Sequence, residues 1–297
     1  MKMKTILAVL VLMGMAGSVF GYEIDDRYQK ARTFLRDNRM DLTVTIEQAF
    51  VQDTVVVSGE GLPKAGTTGA QKRLTAITAA KSVAQRRLVE LLEGVSVVAE
   101  TTVRDQQRAS EVVRTSVSGF ARGARVVVEE WNEKDESALV ILSVGLNGPK
   151  GFAALMYDSI LNEAGIRKEL QRPVYVLSSA APVVEGYDGL VIDARDYSFR
   201  PALINRIFTA KGEVIYDPAR ISQKVLVEHG CGEYTNSVDK AKAALGMRGV
   251  KNPLVVRASG TLSPTDLLVA DVAADQIFSV NHASGFMAAA RVAFVLK

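Results

Sequence analysis

The stretch from Thr68 to Asn147 constrains the fold more than any other part of this chain, because its hydrophobic pattern changes from helical to extended along its length. It opens with a one-sided helical pattern in which apolar residues recur from Leu74 to Leu92. A shorter helical pattern follows, and then two strand-like runs, ARVVVEEW and ALVILSVGL, joined by a polar turn. This order indicates a packed module with helices on one face of a sheet.

The segment before this stretch supplies the first strand. Residues 54–58 are rich in β-branched valine and threonine, which favour strands. Gly59, Gly61, Pro63 and Gly66 follow and are expected to break that strand. The second helical pattern is expected to begin near Asp105, whose side chain can cap free backbone N–H groups. The module therefore has the predicted order β-α-β-α-β-β.

The full chain is long enough for two domains. It has 297 residues, of which 48% are apolar and 23% charged, as in ordinary globular proteins. The second half is richer in short strands and contains the hairpin pattern IFTAKGEVIY. The predicted fold class is α+β, with two domains that each consist of a mainly antiparallel sheet covered by helices. The predicted segments are a signal peptide (1–21), an N-terminal amphipathic segment (22–50), the first module (51–148), a linking helix (149–172) and a second α+β domain (173–297).

The first 21 residues have the pattern of a secretory signal peptide, with Lys2 and Lys4 before a short apolar core. We therefore expect export to the periplasm, or to an outer-membrane-associated or cell-surface position. Without those two lysines, 34 of the 36 basic residues remain against 33 acidic ones, a net charge of +1. This balance does not favour nucleic-acid binding. No later apolar run reaches the roughly 18 residues of a membrane helix.

Cys231 is the single cysteine, so no internal disulfide can form. A buried structural thiol is the favoured interpretation, and an intermolecular disulfide is the alternative. Cys231, His229 and His282 could contribute to a zinc site, or Cys231 and His229 to a nucleophile–base pair, but their spacing supports neither. The loop at residues 61–68 lacks the lysine of a phosphate-binding loop. We predict no catalytic residue, no cofactor and no metal.

Asp193 and Arg195 follow an apolar strand, which is a position where binding sites are often built. Asp and Arg at such a place also commonly pair to close a turn, and this structural interpretation is favoured. The candidate ligand-site residues are Asp193, Arg195, His229 and Cys231.

The quoted module resembles a known family. AQRRLVELLEGVSVVAETTVRD, VRTSVSGFARGARVVVEEW and ALVILSVGL, within residues 54–147, are similar to small outer-membrane lipoproteins of the "Lpp-twenty" type and to a module of flagellar outer-membrane ring proteins. The chain lacks the lipid-bearing cysteine that such lipoproteins carry after the signal. The resemblance implies an envelope location and a role in structure or assembly. It implies no catalytic residues.

These observations predict a non-enzymatic, exported cell-envelope protein with a structural or assembly role. Its expected partners are copies of itself or other envelope proteins. Its expected location is at the outer membrane or in flagellar basal structures. The alternative is a soluble periplasmic ligand-binding module, with its ligand near Asp193 and Arg195 or between the domains. A hydrolase that uses Cys231 is a third hypothesis.

Overall fold

The structure, a computed structural model, describes residues 24–177 and 186–297. The predicted signal peptide at residues 1–21 lies outside the described residues. The helices and strands up to residue 177 are α1 (Gln29–Asn38), α2 (Ile46–Gln52), β1 (Thr54–Gly61), α3 (Ala70–Glu93), β2 (Ser96–Val98), β3 (Thr101–Thr102), α4 (Val103–Ala109), α5 (Glu111–Arg122), β4 (Arg125–Asn132), β5 (Ser137–Gly145), α6 (Phe152–Asn162) and α7 (Ala164–Leu170).

A three-stranded antiparallel sheet in the order β1–β5–β4 is the framework of this first half. The predicted hairpin is confirmed, because β4 pairs directly with β5 from Asn132 and Ser137 outward. Side chains of β5 alternate between the two faces of the sheet. Leu142 packs with the buried face of α3, and Ile141 packs with Ala31 of α1 on the opposite face. The predicted N-terminal amphipathic helix thus covers a sheet face within the same molecule.

β1 and α3 approach each other closely at two of the glycines that were expected to break the strand, yet β1 runs on to Gly61. A Cβ atom on Gly59 would lie 2.3 Å from the carbonyl oxygen of Ala80, and one on Gly61 would lie 2.3 Å from that of Ala76. The helix backbone therefore occupies the space that a side chain would need. Both glycines permit this contact, and Gly59 lies inside the strand, whereas β1 ends at Gly61.

The region after α3 has more breaks than the sequence predicts. A tight turn, in which Ala99 has a φ of 53°, separates β2 from β3 where one strand was expected. Thr102 and Asp105 form a reciprocal capping box, so α4 begins at Val103 and not at Asp105. Ser110 caps a separate helix, α5. The predicted linking helix is likewise two helices, α6 and α7.

The second half is built from four-stranded sheets. Its elements are β6 (Gly189–Asp193), β7 (Arg206–Thr209), β8 (Val214–Tyr216), a short 3₁₀ helix (Pro218–Arg220), α8 (Gln223–His229), β9 (Glu233–Thr235), α9 (Val238–Met247), β10 (Pro253–Arg257), β11 (Gly260–Ser263), β12 (Asp266–Val269), α10 (Asp271–Ser284) and β13 (Val292–Val295).

The predicted α+β fold is confirmed, but the strand pairing of the second half differs from the antiparallel arrangement that was expected. The sheet with the order β10–β6–β13–β9 is parallel throughout, and β12 also pairs with β7 in parallel. Both faces of β6 and β13 are buried, since α9 packs with Val191 on one face and the main core encloses Ile192 on the other. Short, continuous apolar runs such as GLVID and VAFV are typical of parallel strands, whereas alternation is typical of antiparallel ones.

The two halves share one hydrophobic core. Phe50 of α2 packs edge-to-face on Tyr234 of β9, with 5.0 Å between the ring centroids. The backbone N–H groups of Leu203 and Ile204 donate to carbonyls of β2 at 2.9 Å. A single cluster of buried residues accordingly extends from α2 to β13. Within residues 24–177 and 186–297, no helix has the length and apolar character to cross a membrane.

Candidate functional site

Asp193 and Arg195 close on each other at the carboxyl end of β6. The Arg195 guanidinium donates from Nε to Asp193 Oδ1 at 2.9 Å and from its terminal nitrogen to Oδ2 at 2.7 Å. These bonds outweigh the effect of burial and hold the pKa of Asp193 below its ordinary value. The same carboxylate also accepts a bond from the Arg195 backbone N–H. The pair therefore has the geometry of a turn closed by a bidentate ion pair.

His229 and Cys231 lie near the opposite end of the parallel sheet, because both come just before β9 whereas Asp193 ends β6. His229 is the last residue of α8, and its side chain is 43% exposed. Burial, followed by the nearby positive charge of Arg248, lowers the pKa of His229. The four sequence-predicted residues are thus not brought together in one site.

The Cys231 thiol is enclosed in the core, with 2% of the residue exposed. Its sulfur lies 3.0 Å from the Tyr234 hydroxyl and 3.6 Å from the Ala202 carbonyl oxygen. Burial raises the pKa of this thiol, which favours its neutral, unreactive form. Cys231 therefore has the environment of a structural residue.

A buried polar network surrounds Cys231, and the sequence analysis did not identify it. The Asn205 side chain accepts from the N–H of Ala202 at 2.7 Å and donates to the carbonyl of Thr265 at 2.7 Å. The Tyr234 hydroxyl also donates to the side-chain amide oxygen of Asn205. Two more tyrosine hydroxyls reach this network from other elements. Tyr157 donates to the backbone carbonyl of Leu203, and Tyr216 donates to the backbone carbonyl of Cys231. Burial raises the pKa of each of these three tyrosines, so all stay neutral at physiological pH.

A second arrangement lies between the halves, and we call it the inter-half cleft. The β2–β3 turn, α4, α7 and the segment after α7 line it from the first half, and the β11–β12 turn lines it from the second. Its volume is about 700 Å³, and its polar lining groups are Glu100, Thr101, Asp105, Gln106, Glu163, Arg172, Ser263 and Asp266. A bond of 3.2 Å from the Thr265 hydroxyl to the Ala99 carbonyl joins its two sides.

Most charged groups of the inter-half cleft are already engaged. Asp266 is 1% exposed and accepts from Arg206 Nε at 2.9 Å, from a terminal nitrogen of Arg206 at 2.6 Å and from Ser263 at 2.8 Å. The Asp105 carboxylate is bonded to Thr102 at the start of α4, which lowers the pKa of Asp105. Both carboxylates are therefore fixed in position, and the lowered pKa of Asp105 keeps its carboxylate ionised at neutral pH.

Gln106 differs from these groups. It is 5% exposed, and among the described residues its side-chain amide has no hydrogen-bond partner. In residues 24–177 and 186–297, every side-chain nitrogen or oxygen that is fully buried has a hydrogen-bond partner. The amide atoms of Gln106 have none, so they must reach open space. The inter-half cleft, which Gln106 lines, is that space. The sequence offers no signal for this, because one glutamine in a helical pattern has no distinguishing chemistry.

The part of the chain that the structure describes contains no cluster of side chains that could bind a metal ion. No group of three or more His, Cys, Asp or Glu side chains there has the geometry to hold an ion. His229 and Cys231 are directed to different surroundings, one at the surface and one in the core.

Residues 189–297 match a family model described as the second domain of Treponema pallidum Tp0624. The matched region begins at β6 and includes all four sequence-predicted site residues, but it covers well under half of the chain. It is compatible with the predicted division into two domains, whose boundary near residue 173 remains a prediction. None of the curated proteins matches the sequence.

Proposed function

We propose that this protein is a non-enzymatic, exported component of the cell envelope that assembles with copies of itself or with other envelope proteins. The proposal includes an association with the outer membrane or with flagellar basal structures. The resemblance of residues 54–147 to outer-membrane lipoproteins and flagellar ring modules supports the location and the role.

The observation that carries the proposal is that the potentially reactive side chains Cys231, Asp193 and Arg195 are engaged in contacts within the fold. Cys231 is part of the buried network, and Asp193 and Arg195 neutralise each other in a turn. A nucleophile needs a base within hydrogen-bond reach, and the described partners of the Cys231 sulfur are a tyrosine hydroxyl and a carbonyl oxygen. These groups therefore stabilise the fold, as expected of a structural component.

The shared core also supports a structural role. The contact of Phe50 with Tyr234 and the bonds from Leu203 and Ile204 to β2 join the halves through buried groups. A subunit whose halves are joined in this way presents its surfaces in a fixed relation, which repeated assembly requires.

The test is the mass of residues 22–297 in solution, measured by light scattering over a concentration series, together with crosslinking in intact cells. We expect a discrete oligomer and at least one crosslinked envelope protein. A monomer at every concentration, with no crosslinked partner, would refute the proposal. Cys231→Ser is the matched control for an intermolecular disulfide. Because the thiol is buried, we expect this variant to form an oligomer of the same mass as the wild type.

The second candidate function is a soluble periplasmic ligand-binding module. The specific observation in its favour is the inter-half cleft, with an uncommitted amide on its wall. The geometry favours this position over Asp193 and Arg195, which already satisfy each other. A ligand that binds only the folded protein raises its thermal midpoint, so a thermal-shift screen tests this function.

A further inference from the structure

The inter-half cleft combines an unpartnered amide with uncommitted negative charge. We infer that it binds a small organic cation, a molecule with one or more ammonium groups on a short apolar chain, and that Gln106 and Glu100 are the recognition groups. This inference goes beyond the assembly role and does not depend on it, because binding and oligomer mass are measured separately.

Gln106 is the observation that points to a ligand. An amide on a nearly enclosed side chain that makes no hydrogen bond to the protein depends on water or on a ligand for one. Gln106 is 5% exposed, and it lies on α4 between the capping box at Thr102 and the next helix cap at Ser110. Its backbone is therefore fixed, and its amide reaches the inter-half cleft. An ammonium group there would donate to the Gln106 carbonyl oxygen.

The charge of the inter-half cleft selects a cation. Four carboxylates and one guanidinium, that of Arg172, line it, and Arg172 already makes an interaction of its own. Asp266 is neutralised by Arg206, and Asp105 is held by Thr102. Glu100 is different, since no bond or ion pair involves its side chain within the described residues.

Glu163 supplies a further acceptor in the inter-half cleft. One oxygen of its carboxylate accepts the N–H of Ile166 at 2.7 Å, which leaves the other oxygen available. Three apolar side chains, those of Ala109, Ile166 and Leu262, also line the inter-half cleft. A volume of about 700 Å³ is within the range of small-molecule sites. Ammonium groups joined by a methylene chain fit this combination of hydrogen-bond acceptors and apolar side chains.

The experiment is isothermal titration calorimetry of residues 22–297 with putrescine and spermidine as probes. 1,4-Butanediol, which has the chain without the charge, and glutarate, which has the opposite charge, are the comparison compounds. We expect the two amines to bind more tightly than the diol and the dianion, and their affinity to fall with added salt, because the attraction is electrostatic.

Gln106→Leu removes the amide and keeps a side chain of similar size. We expect it to weaken putrescine binding about tenfold or more, since a hydrogen bond to a charged group is lost. Gln107→Leu is the matched control, because Gln107 lies one position further on α4 and lines a different surface with Arg104 and Arg108. It should change the affinity by less than about twofold.

Glu100→Gln is the second variant, and its exposed position keeps the fold intact. We expect it to weaken binding by about threefold, as for a partly exposed ion pair. Glu133→Gln removes the same charge at the exposed β4–β5 turn and should leave binding unchanged. The inference is overturned if the amines bind no more tightly than 1,4-butanediol, if Gln106→Leu and Gln107→Leu bind alike, or if Glu100→Gln and Glu133→Gln bind alike.

Discussion

Replacing Gly59 by alanine tests the close contact between β1 and α3. The new Cβ would lie 2.3 Å from the carbonyl oxygen of Ala80 and 2.4 Å from the backbone nitrogen of Ala84. Ordinary contact begins at 3.4 Å, so α3 must retreat by about 1 Å along a buried face. Because the obstacle is helix backbone, no side chain can rotate to relieve it. We expect the free energy of unfolding to fall by about 3 kcal/mol, at the upper end of the range for overpacked cores.

The measurement is urea unfolding followed by circular dichroism, supported by the thermal midpoint, which should fall by about 6 °C. Gly246→Ala in α9 is the matched control, since a Cβ there meets no atom within 4 Å. It should stabilise the protein by about 0.5–1 kcal/mol, because alanine favours helix. Equal effects of the two variants would refute the reasoning, as would a Gly59→Ala variant with wild-type stability.

Three further perturbations test the residues near the sequence-predicted sites. Cys231 should resist a thiol reagent in the native protein and react fully in urea, because it is 2% exposed and burial raises its pKa; fast native labelling would contradict this. Asp193→Asn should lower the stability at neutral pH. Since the folded pKa of Asp193 is lowered, this loss should be complete above the ordinary pKa of 3.8 and vanish as the pH falls through the lowered value; a loss that persists in acid would exclude the ion pair as its cause. Asn205→Ala should lower the free energy of unfolding by about 2–4 kcal/mol, because it removes the side chain that bonds the buried N–H of Ala202 and the carbonyl of Thr265, whereas exposed Asn236→Ala should change it by less than about 0.5 kcal/mol.

The sequence predicts those parts of the fold that depend on local pattern. The β4–β5 hairpin and α3 follow from alternation, helical period and turn residues, and the structure has both. The role of Gly59 and Gly61 could not be predicted, because a glycine that permits close packing has the same local pattern as one that ends a strand. The parallel pairing of β6 and β13 joins residues about a hundred positions apart, so no local turn specifies it.

The candidate residues illustrate a second limit. Asp193 and Arg195 could be predicted to pair because they are two positions apart, and they do. The environment of Cys231 depends on Tyr234 and Asn205, which reach it from different elements. Sequence reasoning selects residues by chemical type, so it identified the thiol and the histidine and passed over Gln106, whose importance comes only from burial without a partner.

Gln106 links the stability of this protein to its proposed ligand. A fully sealed amide without a hydrogen bond would cost about 1–3 kcal/mol; the amide of Gln106 reaches open space, so its cost is smaller, and an apolar side chain of similar size would avoid that cost. The amide reaches the inter-half cleft, so water relieves part of the penalty and a ligand would relieve the rest. Gln106→Leu should therefore have a thermal midpoint equal to or above that of the wild type and yet bind putrescine about tenfold or more weakly. A variant that loses both stability and binding would show that the Gln106 amide stabilises the folded protein itself. That result would contradict the absence of a hydrogen-bond partner for this amide among the described residues.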